Sequence, residues 1–182
     1  MRLFLYISIS FYFFISLLFA EETRQVDKHE HGVSELNIAI QSNTMVLEFM
    51  IPGADIVGFE YEAKSEQDKA TVNAALTKFD DYNNIFIIPT NSKCLLISSK
   101  ININQEDDHD DHDEHQEEAH NEFYAKYTFE CGDIKSLDLL EFSYFETFSN
   151  SGELEVQFVS EIGSTSFEVE ADSPIINIEG KI

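Results

Sequence analysis

Cys94-Leu-Leu-Ile-Ser-Ser-Lys-Ile-Asn-Ile103 and Glu122-Phe-Tyr-Ala-Lys-Tyr-Thr-Phe-Glu-Cys131 are two strand-like arms of equal length, each with a cysteine at its outer end. In the second arm Phe123, Ala125, Tyr127 and Phe129 occupy alternate positions, so they share one face of an extended chain. An antiparallel pairing in which residue numbers sum to 225 sets Cys94 directly opposite Cys131. Opposed Cα atoms in such a pair lie about 4.5–5.5 Å apart, within reach of a disulfide. The bridge would clamp the base of a hairpin whose tip is the segment 104–121. Ordinary hairpin tips are about 2–5 residues long. A tip this long with almost no apolar content has nothing to pack, and it is expected to be a flexible loop, either functional or disordered.

The rest of the chain repeats the alternating pattern. Leu36, Ile38 and Ile40, a break at Ser42-Asn43, then Met45, Leu47, Phe49 and Ile51 read as a second hairpin. Pro52-Gly53-Ala54-Asp55 is a turn signal, with Ile56 to Tyr61 extended or irregular after it. Ser65-Glu-Gln-Asp68 is a capping box, and Val72, Ala75, Leu76 and Phe79 fall at i, i+3, i+4 and i+7. Together they predict one amphipathic helix from Glu66 to Phe79. Ile85 to Ile88 reads as a short buried segment, and Phe142-Ser-Tyr144-Phe145 as an aromatic strand. Leu154, Val156 and Phe158 make another, with a turn near Gly163-Ser164 and a return through Phe167 and Val169. Ile175 to Ile178, after Pro174, reads as a closing edge strand. The expected fold is mainly β, with α+β the variant: an antiparallel sheet or sandwich, one helix, and the long loop at a hairpin tip.

Residues 1–20 carry one basic residue, Arg2, no acid, and an apolar run ending Leu18-Phe19-Ala20 before Glu21-Glu22. This is the pattern of a secretory signal peptide cleaved after Ala20, which leaves residues 21–182 as a single domain with no membrane insertion. The two cysteines then lie in an oxidising compartment, and an even count there argues for one disulfide. They are too far apart in sequence for a C-x-x-C type of zinc site. The formal charge of the whole chain is −24. Such a surface repels nucleic acid and anionic lipid and attracts cations.

All six histidines sit in two acidic tracts. One is Asp27-Lys-His29-Glu-His31. The other, Glu106 to Glu122, holds His109, His112, His115 and His120 among ten carboxylates, Asp110, Asp113 and Glu114 included, with no basic residue. Neutral imidazole binds Zn²⁺, Cu²⁺ or Ni²⁺, whereas carboxylates alone suit Ca²⁺ or Mg²⁺. The mixture points to Zn²⁺, with Cu²⁺ and Ni²⁺ as alternatives. His109, His112 and His115 recur every three residues, so one helix face would present all three, with His120 folding back as a fourth ligand. His29 and His31, two residues apart, would point to one side of an extended segment and form half a site. The bland alternative is a solvated acidic linker in which histidine is incidental. Neither H-E-x-x-H nor H-x-x-E-H is present, nor G-x-S-x-G, nor a phosphate-binding glycine loop, so nothing in the chain asks for an enzyme.

His29-Glu-His31-Gly-Val-Ser-Glu-Leu-Asn-Ile-Ala-Ile40, Pro52-Gly-Ala-Asp-Ile-Val-Gly-Phe-Glu60 and Leu154-Glu-Val-Gln-Phe158, with the tract between the cysteines, resemble the ZrgA family of zinc-regulated periplasmic proteins. The resemblance covers essentially all of the chain after residue 20. It implies a Gram-negative periplasmic protein that binds zinc and supports its import, with a zinc ABC transporter or its solute-binding protein as partner. The metal ligands it implies are His109, His112, His115 and His120, with His29 and His31 as a separate site. The position after Gly-Phe-Glu, commonly histidine in that family, is Tyr61 here. The competing expectations are an exported acidic interaction or structural domain without specific metal, and a calcium-binding secreted module.

Overall fold

The computed structural model describes residues 32–105 and 121–182. Strands β1 (Val33–Gln41) and β2 (Thr44–Pro52) form the expected hairpin, turning at Ser42-Asn43 and pairing Leu36 with Phe49 and Ile38 with Leu47. Strands β3 (Cys94–Gln105) and β4 (Asn121–Cys131) form the second hairpin, and β6 (Glu153–Ser160) and β7 (Gly163–Glu170) a third. Together these six make one open sheet in the order β3-β4-β2-β1-β6-β7. All neighbours are antiparallel except β1 and β6, which run parallel. The choice between sandwich and single sheet falls to the single sheet, with a layer of other elements on one face.

That layer starts with α1 (Gly53–Val57), where a turn was expected: the Pro52-Gly-Ala-Asp signal opens a single helical turn, closed by Gly58 in the left-handed region. Next comes α2 (Glu66–Asp80), the amphipathic helix, whose Ser65 hydroxyl accepts the Asp68 N–H at 3.0 Å. Its Ala75 and Phe79 are buried, with Val72 and Leu76 packed beside them. Ile85 and Phe86 are fully buried after it, whereas Ile87, expected inside, is exposed and forms a single bridge to Glu141.

The aromatic strand expected at Phe142–Phe145 is not one. A short strand, β5 (Leu139–Glu141), precedes it, and α3 (Tyr144–Thr147) takes its place. The physical reason is the spacing of buried rings: Tyr144, Phe145 and Phe148 stand at i, i+1 and i+4, which one helical turn points inward and a strand splits between two faces. Strand β8 (Ile175–Asn177) does not close the main sheet but pairs with β5 in a two-stranded sheet of its own. The turn between β6 and β7 falls at Glu161-Ile162, and Gly163 already pairs with Ser160.

Aromatic side chains fill the space between the layers. Phe79 stacks on Phe123 and Phe148, and Phe86 lies against Phe49, Tyr127 and Phe129, with ring centroids 4.9–6.1 Å apart. The Tyr127 hydroxyl, buried here, donates to the Phe79 carbonyl oxygen at 2.6 Å. Burial pushes its pKa up, and Asp80 and Asp81 push in the same direction. The phenol therefore stays neutral and ties β4 to the C-terminal end of α2.

Cys94 and Cys131 are bonded and are direct cross-strand partners, as the 225 register requires. That register holds only as far as Leu96 opposite Phe129. From Ser98 opposite Thr128 onward the sum is 226, because Ile97 is an extra residue in a β-bulge. The cause lies in the sequence of the arm. A strict alternation inward from Cys94 and Leu96 would turn Ser98, Lys100 and Asn102 toward the core. The bulge resets the phase so that Ile101 and Ile103 pair with Ala125 and Phe123 and pack on the core. The strands also run further than expected, to Gln105 and from Asn121.

Candidate metal centre

The ligands proposed from the sequence, His29, His31, His109, His112, His115, His120, Asp110, Asp113 and Glu114, lie outside the described residues. Among the described residues, no group of three or more His, Cys, Asp or Glu side chains is placed to hold a metal ion. What the structure defines is where the two tracts are rooted.

The first tract joins the fold at Gly32, which takes φ +87°, a conformation that costs glycine little. Its N–H donates to Asp55 Oδ1 at 2.9 Å. Asp55, on α1, is a carboxylate only 2% exposed. Ser34 Oγ, the next inward residue of β1, donates to Asp55 Oδ2 at 3.1 Å and lies 2.9 Å from the Tyr144 hydroxyl. Ser151 Oγ donates to that same hydroxyl at 2.7 Å. Since Tyr144 accepts from Ser151, its own proton points to Ser34, and Ser34's points to Asp55. Burial pushes the Tyr144 pKa up against the opposing pull of these two hydroxyls, so the phenol remains a donor. The chain of bonds holds one buried carboxylate at the root of the His29/His31 tract.

The second tract returns to the fold at Asn121, which is buried. Its N–H donates to the Glu60 carbonyl oxygen at 2.7 Å, and its side-chain amide donates to the carbonyl oxygen of Tyr61. Gly53 is required beneath it, because a Cβ there would stand 2.7 Å from the Phe59 carbonyl oxygen and 2.9 Å from that of Asn121. The Tyr61 ring stacks on Phe59 at 4.6 Å and is half exposed.

Both roots are thus fastened by one segment, Pro52 to Tyr61: Asp55 holds Gly32, and the backbone of Glu60 and Tyr61 holds Asn121. The sheet puts them at the same end, where β1 and β4 begin and β2 and β3 finish. Sequence reading found both tracts but not this juxtaposition. The signal was present in Pro52-Gly-Ala-Asp-Ile-Val-Gly-Phe-Glu60, whose glycine and aspartate are the brace.

The same end of the sheet is acidic on its other face. Glu35 stands opposite Glu155, Glu155 opposite Glu168, and Glu153 opposite Glu170. Like charges opposed across strands are unfavourable for the fold. They also add to the negative potential around the roots, which draws cations in.

The family model of ZrgA family zinc uptake proteins matches residues 28–178. The chain belongs to the ZrgA family. The match begins inside the first tract and spans the described sheet, so the family and the fold cover the same stretch of chain. No curated protein matches the chain closely enough to count as a relative. The family is described as one of zinc uptake proteins, which associates this domain with zinc uptake. Among the described residues no helix is long and apolar enough to cross a membrane.

Proposed function

We propose that the protein is a non-enzymatic periplasmic zinc-binding protein: the sheet is a rigid frame, and the histidine–acid tracts it carries capture Zn²⁺ and pass it on. His109, His112, His115 and His120 are the principal ligands, supported by Asp110, Asp113 and Glu114, with His29 and His31 as the second set. The proposed recipient is a zinc ABC transporter or its solute-binding protein. Residues 1–20 direct export and are removed.

The observation that supports this most is the common rooting of the two tracts by Pro52–Tyr61, in a chain of a zinc uptake family. Imidazole and carboxylate are the donor types that bind Zn²⁺ at about 2.0–2.2 Å. Capture and handover call for a site that exchanges metal more readily than a closed four-ligand cage. Neutral imidazole is the ligating form, so protons compete with the metal.

Equilibrium dialysis of the purified protein against Zn²⁺, Cu²⁺, Ni²⁺ and Ca²⁺ tests the reading. Zinc retained at micromolar concentration, with calcium retained much more weakly, is the expected result. Calcium retained as well as zinc turns the reading to a calcium module, and retention of no ion turns it to an acidic interaction domain.

A further inference from the structure

Strand β3 departs from the rule that β1, β2, β4 and β6 obey, as does β7 at the opposite edge of the sheet. In β1, β2, β4 and β6 alternate residues are buried along almost the whole length. In β3 the residues Leu95 to Lys100 are all exposed, whichever face they point to. Leu95 is 71%, Leu96 38% and Ile97 64% exposed, three adjacent large aliphatic side chains on the terminal strand of the sheet. Val72 of the overlying helix α2 and Ile103, near the far end of the strand, line one groove. Among the described residues no strand pairs with the outer side of β3, which makes it a sheet edge and a template for another strand.

The charge pattern selects the occupant. The chain has 35 Asp and Glu residues, yet Cys94–Gln105 contains none and carries a single charge, Lys100. On so acidic a molecule this is an edge along which a second copy meets no carboxylate. We infer that two copies associate through β3, strand against strand and antiparallel, joining their sheets across a two-fold axis near Ile97. An axis there keeps Lys100 away from its own copy. It also sends the two hairpins in opposite directions, so that their Gln105 ends stand about 50 Å apart, at about 3.4 Å per residue. That separation is several Debye lengths at physiological ionic strength, where the length is about 8 Å. The acidic ends of the two copies therefore repel little once salt is present.

The contact is small. A six-residue edge with three aliphatic side chains falls below the roughly 800 Å² per partner of stable complexes, so the dimer is weak, in the micromolar range. The bulge at Ile97 and the lysine both weaken strand pairing along this edge, which keeps the contact weak.

Sedimentation velocity of the purified protein at about 100 μM tests this. The monomer is expected in about 20 mM NaCl and the dimer in about 500 mM, because added salt shortens the range of the net repulsion. Ile97→Lys and Leu95→Lys, both at exposed positions and checked for native circular dichroism, are expected to stay monomeric in both. Ile162→Lys, at an equally exposed aliphatic residue in the β6–β7 turn, is expected to dimerise like the parent. A parent that is monomeric in high salt overturns the inference. So does a dimer that survives both β3 substitutions, or one that Ile162→Lys alone abolishes.

Discussion

On its packed face the sheet presents Leu36, Phe49, Tyr127 and Phe158, each with 1% exposure or less, to a layer of aromatic rings. On its open face, three adjacent strands present Glu35, Glu155 and Glu168 in register, at the end where both histidine tracts are fastened. The two faces belong to the same strands and differ only in the parity of the residue number. One face gains free energy by leaving water. The other gives some up in mutual repulsion, and in return concentrates cations where the tracts begin. The division means that stability and metal capture should respond to different substitutions, and each prediction below probes that separation.

The largest effect belongs to the packed face. Phe79→Ala should cost about 3–5 kcal/mol in denaturant unfolding, because it empties a site shared by Phe123 and Phe148. Zinc binding per folded molecule should stay unchanged. Next is the disulfide: converting both Cys94 and Cys131 to alanine should cost about 3–4 kcal/mol in the chain-entropy account. If the two faces are independent, zinc stoichiometry survives this change too.

Asp55→Ala is the substitution that joins the two. It leaves the Gly32 N–H and the Ser34 hydroxyl without their acceptor and should cost about 1–3 kcal/mol. A loss of zinc affinity confined to the His29/His31 set should accompany it, read by titration in a protein whose second tract has been replaced.

Alkaline pH sharpens the contrast further. The folded-state pKa values of Tyr127 and Tyr144 are raised above the usual phenol value near 10. Both groups bind their protons more tightly in the fold than in the unfolded chain, so their contribution is complete below about pH 10 and declines as pH rises above it. The melting temperature should fall in that range, and Tyr144→Phe should flatten the decline. At the acid end, zinc affinity should drop as pH goes from about 7 to about 6, where imidazole takes up protons, while stability changes little. The smallest effect is on the open face: Glu155→Gln should raise stability by about 0.2–1 kcal/mol, less at high salt.

Much of this was readable in the chain because its signals are local. Alternation marked β1, β2, β4, β6 and β7, and Ser65 with the Val72-to-Phe79 spacing marked α2. The cysteine register followed from two equal arms. What escaped depended on partners distant in sequence. Nothing near Ile97 announces a bulge; it follows from the need to turn Ile101 and Ile103 onto α2 and β4. Phe142 to Phe145 has the composition of a strand, and only packing against Phe49 and Phe79 makes it a helical turn. At the site, the ligand types were evident from composition, while the brace through Asp55 and Asn121 was not, since it connects residues 23 and about 60 positions apart.

The account rests on the tracts being the zinc receptor and the sheet being their frame. Isothermal titration of zinc into the parent and into a variant with His109, His112, His115 and His120 all changed to alanine tests that most directly. With the melting temperature unchanged, affinity in the variant should weaken at least about tenfold, a difference of 1.4 kcal/mol or more. Zinc bound with the same affinity and stoichiometry by both proteins would contradict it.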